Sequence, residues 1–386
     1  MRFITADIIY TLSGQPLKNG VIVLDEKNQV QDVLASATVI DAGKLEKYSG
    51  SICPGFVNAH CHLELSHLKG LIPKKTGIVD FVGNVIKKRN EIARDIRQES
   101  IRLADEEMKR NGIVAVGDIS NDNSSLEVKT KSKLHYHTFV ELIGFNPAFT
   151  DKIMDSGKQL RNEFVRAGLA ATLVPHAPYS VSGKLMKHIA AENNGVPYSI
   201  HNQESRAENE FFEKGSGDIV KLYRFLNLNI DYFDVPATSS LQAYLPSLIS
   251  SGHLALIHNT FSSEEDVLFA EKLSDKLFWC LCPNANLYIE NSLPNIELLR
   301  SNKCKLVVGT DSLASNHGLS VLDELNVICK AYPHIPLEEV LSWACLNGAI
   351  FLAIDNKYGS IEKGKTPGLL LLKSVEGKWN QVSRIV

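Results

Sequence analysis

What most constrains the fold of this 386-residue chain is a repeated alternation of two textures. A short apolar run, bounded by turn-forming residues, is followed by a longer stretch with helical period, and the pair recurs along most of the chain. Strand-like runs fall at 113–116, 136–142, 170–175, 198–201, 254–258, 277–282 and 305–309. Between them lie helix-period stretches such as 92–110, 184–193, 262–272 and 319–331. Seven or eight strand-then-helix units imply parallel strands, because a parallel pair needs a long crossover connection. That count predicts an α/β fold, a TIM-like closed (β/α)8 barrel. A doubly wound open sheet is the structural alternative. No G-x-G-x-x-G follows the first strand, and Gly215-Ser216-Gly217 lacks the third glycine, so a dinucleotide site is not expected.

The two ends have a different texture. Residues 1–50 carry short runs such as Ile8-Ile9-Tyr10 and Val21–Leu24, divided by Ser13-Gly14-Gln15-Pro16 and Asp25-Glu26-Lys27-Asn28. That pattern is strand and turn, not helix. After Gly359 the stretch GSIEKGKTPGLLLL turns strand-like again and can return to pair with the N-terminal strands. The expected division is a small β-sandwich module from 1–50 plus 366–386, and a barrel from 51–365.

Charge and cysteine content exclude several classes of function. A formal net charge of -3 does not supply the basic face that nucleic-acid or membrane-surface binding needs. No apolar run reaches the ~18 residues that span a bilayer, and the N-terminus lacks a basic-then-apolar leader pattern. The seven cysteines are odd in number and mostly in apolar surroundings, which suits reduced thiols and a cytoplasmic location. Cys280 and Cys282 form C-x-C rather than C-x-x-C, with no second pair to complete a structural zinc site.

The candidate functional residues stand where apolar runs stop. In ICPGFVNAHCHLELSHLKG, His60 and His62 are two residues apart, so an extended backbone turns both imidazoles to one face. His176 follows the run at 170–175, His201 and His258 end two further runs, and Asp311 follows the run at 305–309. In a barrel the active site lies at the C-terminal strand ends, so five runs ending in this way point to one site. Any one of them alone could be a helix cap or a hydrogen-bonded loop residue. Histidines from two strands plus a carboxylate make an N/O donor set suited to Zn²⁺ or Fe²⁺. Glu204, three residues past His201, is placed to move protons; otherwise it is a surface carboxylate in an acidic loop with Glu208 and Glu210. His67, His135, His137, His188, His253, His317 and His334 read as structural or solvent-facing.

Taken together, these motifs resemble the amidohydrolase superfamily, and within it the nucleobase-deaminase and chlorohydrolase branch. PGFVNAHCHLE resembles the strand-one motif, HAPYSVS the substrate-side histidine segment and HNQE the branch's H-x-x-E. LIHN resembles the later histidine motif, GTDSLASN the strand-eight aspartate motif, and NGAIFLAI with GSIEKGK the closing segment. The resemblance runs through nearly the whole chain. It implies that His60, His62, His201 and Asp311 ligate one divalent metal, zinc ahead of iron. It further implies that His258 polarises the substrate or orients the hydroxide, that Glu204 shuttles protons, and that His176 contacts substrate. Asp311 would also take the proton of metal-bound water. No lysine stands where binuclear relatives carry a bridging carbamylated residue, so one metal is expected.

The reaction so implied is hydrolytic deamination of a purine or related heterocycle. Metal hydroxide would attack the amino-bearing ring carbon, with release of ammonia. HLELSHLKG followed by IPKKTGIVDFV narrows the resemblance to aminofutalosine deaminases. The chain departs from the family pattern in two places. GKTPGLLLL lacks the acidic residue that relatives carry in the closing segment, which concerns the β module. No arginine pair is assignable to an amino-acid carboxylate, which weakens S-adenosylhomocysteine as substrate. A related hydrolase acting on a C–Cl or cyclic amide bond, and a non-catalytic ligand-binding barrel, are the alternative readings. The expected partner is a small heterocyclic substrate, not nucleic acid or membrane, and the resemblance allows a homo-oligomer.

Overall fold

A computed structural model describes residues 1–375 and 378–386. The chain opens with β1 (Arg2–Ile9), β2 (Leu17–Lys18), β3 (Val21–Leu24), β4 (Val30–Leu34) and β5 (Leu45–Pro54). The barrel strands follow: β6 (Phe56–Cys61), β7 (Ile113–Ser120), β8 (His135–Leu142), β9 (Ala170–Pro175), β10 (Tyr198–Asn202), β11 (Leu254–His258), β12 (Leu277–Leu281) and β13 (Leu306–Val308). A hairpin of β14 (Leu369–Val375) and β15 (Lys378–Arg384) closes the chain.

The two ends do meet. β14 pairs antiparallel with β5, Leu371 opposite Ile52, as the strand-like return of the C-terminal segment predicted. The pairing gives one seven-stranded sheet, in the order β15-β14-β5-β1-β3-β4 with β2 also on β1, rather than two separate sheets. The reason is the length of β1. Its parallel edge is taken by β5, and its other edge is shared between β3 near Ile4 and β2 near Ile9. Ile4, Ile9, Ile22, Leu24, Ile52, Leu369 and Leu371 bury together on this sheet. β5 runs on to Pro54 and so leads directly into the first barrel strand.

The eight barrel strands are parallel, but their ladders fall into two arcs of four, β6-β7-β8-β9 and β10-β11-β12-β13. The expected closed barrel is therefore corrected in one respect: single contacts, not ladders, span the two seams. At one seam β13 is only three residues long, and Cys61 bridges Asp311 while the Thr310 and Asp311 amides donate to the His60 carbonyl at 3.0 and 3.1 Å. At the other seam Pro197 brings no N–H to the start of β10, and the Thr172 hydroxyl donates to its carbonyl at 2.9 Å instead. The His201 amide then donates to the His176 carbonyl at 2.9 Å. Both seams thus carry residues of the candidate site.

Helices cover the ring, with Arg94–Arg110, Gly183–Glu192, Glu264–Leu273 and Val321–Ala331 close to the expected stretches. The 92–110 reading missed a separate helix before it, Gly77–Lys88. No helix among the described residues is long and apolar enough to cross a membrane. All seven cysteines are free thiols.

Gly309 shows how tightly the first seam is packed. A β-carbon there would lie 2.7 Å from the His60 β-carbon and 2.9 Å from its carbonyl oxygen. Gly309→Ala is expected to push β13 off β6, with a cost of about 1–3 kcal/mol. A lower denaturant midpoint together with weaker cation retention would be the signature; an unchanged midpoint would contradict this packing.

Candidate active site and metal centre

Each site residue sits where an apolar strand ends at one mouth of the ring. His60 is the penultimate residue of β6, and His62 lies one residue beyond that strand. His201 is the penultimate residue of β10, His258 ends β11, and Asp311 follows β13. The backbone is forced out of extended geometry at these points. Gln203, His258, Asn259 and Asp311 have φ of 44°, 78°, 57° and 55°. Non-glycine residues hold such angles only where the surroundings over-determine them, and such strain clusters at functional sites.

The donor atoms converge. His62 Nε2 lies 3.1 Å from His60 Nε2 and 3.3 Å from His201 Nε2. Asp311 Oδ1 lies 3.5 Å from His60 Nε2 and 3.3 Å from His62 Nε2. One donor atom each from His60, His201, His258 and Asp311 falls within 4.8 Å of the others. All five side chains are buried.

Hydrogen bonding and burial set the protonation of several of these groups. His201 Nδ1 is 2.8 Å from the His176 carbonyl, which can only accept, so the proton is on Nδ1 and Nε2 is bare. Burial pushes His62 down to about 4, outweighing the nearby Asp311 carboxylate, so this imidazole is neutral. Burial holds His201 well below its ordinary range for the same reason, with His176 and His60 adding to it. Asp311 stays well below the usual carboxylate range although burial opposes it, because His60, His62 and His258 surround it. The Ser315 hydroxyl donates to its Oδ2 at 2.5 Å. Neutral imidazoles and a carboxylate converging at such separations form an N/O donor set that one cation can complete. Zn–N bonds of about 2.0–2.1 Å at tetrahedral angles place ligand atoms about 3.3–3.4 Å apart, which matches the donor set. The residues present fit a single divalent cation.

Beside this set stand the proton-handling groups. His258 Nδ1 donates to Asn286 Oδ1 at 2.8 Å, which leaves its Nε2 lone pair toward the centre. Glu204 Oε1 lies 3.6 Å from His258 Nε2. Burial above all, then Asp311 and Glu290, raise the Glu204 carboxyl well above its ordinary value, which favours its protonated form. His176 is held by the Ser180 hydroxyl at 2.7 Å and its ring lies 4.9 Å from that of His201, centre to centre. His62, His176, His201, Glu204, His258 and Asp311 all face one cavity of about 540 Å³, whose outer wall is apolar (Phe81, Val85, Phe145, Ile153).

Several supporting residues were not anticipated. Asn286 lies on the helix Pro283–Ile289, where no local pattern marks it. Asp118 Oδ1 accepts from the Leu63 amide at 2.8 Å and so fixes the turn carrying His62. Its Oδ2 is 2.6 Å from the fully buried Lys129, which also donates to Ser120 and Thr138 at 3.0 Å each. Asp118 follows the run at 113–116 within β7, so a longer reading of that strand would have placed it at the same mouth. Two histidines set aside as structural are so placed: His67 bonds two backbone carbonyls and His137 bonds Thr172.

Comparison with known proteins decides the family. The model of the amidohydrolase family matches residues 51–384. The chain belongs to the amidohydrolase family. Among its relatives in that family is an aminodeoxyfutalosine deaminase of Nitratiruptor sp., 27% identical over 343 residues, which cover 85% of this chain and 80% of the relative. The amidohydrolase fold is shared with Helicobacter pylori aminofutalosine deaminase, solved in complex with methylthio-coformycin. The TM-score is 0.83 at 23% identity, over 100% of both chains. An adenosine deaminase from Xanthomonas campestris, solved with bound zinc, superposes with a TM-score of 0.73 at 19% identity, over 96% of this chain and 84% of that one.

Proposed function

We propose that this amidohydrolase is a hydrolytic deaminase of a purine or closely related heterocycle. The observation that carries the reading is the pairing, in one cavity, of a buried donor set suited to a cation with Glu204 beside His258. The names of its relatives, an aminodeoxyfutalosine deaminase and an adenosine deaminase, favour the same class, and the cavity can hold an adenine-nucleoside-like molecule. The division into a β module (1–50 plus 366–386) and a catalytic barrel (51–365) belongs to this reading.

In this reading His60, His62, His201 and Asp311 hold one divalent cation, zinc ahead of iron. When bound, the cation supplies Lewis-acid activation of water at neutral pH. Asp311, kept ionised by its histidine neighbours, takes the proton that water gives up. His258 presents a bare Nε2, fixed by Asn286, and orients the attacking water against the ring. Glu204 donates its proton to the ring nitrogen beside the amino-bearing carbon, which makes that carbon electrophilic. The deprotonated Glu204 then takes the proton of the newly formed hydroxyl and passes it to the departing amine, which leaves as ammonia, and the proton held by Asp311 returns to Glu204. His176, whose ring neighbours that of His201, contacts the heterocycle.

Ammonia release measured over adenosine-like, guanine-like, pyrimidine and chlorinated-heterocycle substrates tests the proposal. Ammonia from the purine class is the expected result. Chloride release without ammonia, or turnover of cyclic amides alone, would overturn it.

A further inference from the structure

Glu141, the penultimate residue of β8, is a carboxylate that the proposed reaction does not use. It is 7% exposed and faces the cavity. Its Oε2 accepts from Asn121 Nδ2 at 2.9 Å. Its Oε1 is buried without a hydrogen-bond partner. The nearest ring nitrogen, His201 Nδ1, is 3.7 Å away and already donates to the His176 carbonyl. The guanidinium that lines the cavity, Arg89, lies 3.2 Å from Glu64 Oε1 and is engaged there.

A buried acceptor with no donor is rare in a folded protein, because leaving it unpaired forfeits its hydration for nothing. An unpartnered carboxylate oxygen on a side chain that lines a substrate-sized cavity is therefore suited to a donor brought by the ligand. Its position is also distinct. Glu204 stands beside His258 and Glu141 beside His201, so the two carboxylates address different parts of a bound molecule. The same charge disfavours an anionic group at that place.

We propose that Glu141 Oε1 is a specificity-determining acceptor, taking a hydrogen bond from an O–H or N–H donor on the substrate next to the reacting ring. This rests on the deaminase reading. Two donor sources share this chemistry: the hydroxyls of a ribose and a ring N–H. The ribose is favoured because a vicinal diol presents two donors to one carboxylate.

The test compares kcat and KM for adenosine, 2′,3′-dideoxyadenosine and adenine, in wild type and Glu141→Leu, with metal content measured on both. Wild type is expected to prefer adenosine over the dideoxy compound by roughly 10- to 100-fold in kcat/KM, the range of a hydrogen bond to a charged group. In Glu141→Leu that preference collapses, chiefly through the KM for adenosine, while metal content stays at the wild-type level. A loss confined to adenine would support the acceptor and assign the ring N–H as its donor. Equal losses on all three substrates, or lost metal, would mean that Glu141 only positions His201 and would overturn the proposal. An unchanged preference would overturn it too, while leaving the deaminase reading intact. Absence of ammonia from all three with wild type would overturn the proposal for adenine-type substrates, while the wider substrate panel decides the deaminase reading.

Discussion

Glu204→Gln is expected to keep its cation and lose kcat by about 10²–10⁴-fold, the usual contribution of a positioned general acid-base. The substitution preserves shape and hydrogen-bonding reach, so the donor set of His60, His62, His201 and Asp311 is untouched. It removes the one proton that burial stores on this side chain. Without it, the ring nitrogen is not protonated as the carbon is attacked, and the amine leaves without its proton. The loss should appear in kcat more than in KM, because the proton moves in the transition state. Wild-type kcat in a variant of unchanged metal content would remove Glu204 from the chemistry.

The second large effect concerns stability. Asp118→Asn is expected to destabilise the fold by about 3–5 kcal/mol, the cost of stranding one partner of a buried ion pair. Lys129 and Asp118 are both fully buried, 2.6 Å apart. The lysine has two hydroxyls besides, Ser120 and Thr138, and lies 4.8 Å from the Phe164 ring centre, none of which carries a compensating charge. Removing both charges together, as Asp118→Asn with Lys129→Met, should recover most of the loss. Urea unfolding midpoints of the three proteins measure this directly. A single variant within about 0.5 kcal/mol of wild type, the size of an ordinary surface substitution, would contradict it.

The strand ends of this chain were legible because barrel strands are short apolar runs, and a polar residue that stops one is conspicuous. His60 and His62 could be paired from spacing alone, since side chains repeat every two residues along an extended backbone. The residues that tune the site were not legible for the same reason. Glu141 lies inside an expected strand, where inward and outward positions look alike without a register. Asn286 acts across the fold on His258, at a separation in sequence that no local pattern records. The two-arc ring was hidden as well. It depends on the shortness of β13 and on Pro197, whose missing N–H matters only once β9 is known to be its neighbour.

The most direct test of the central claim is divalent metal content per folded chain, measured on wild type and His60→Ala side by side with circular dichroism. A converging donor set predicts about one cation per wild-type chain and its loss from a variant that remains folded. A wild type that is folded, free of metal and unable to take up zinc would contradict the account.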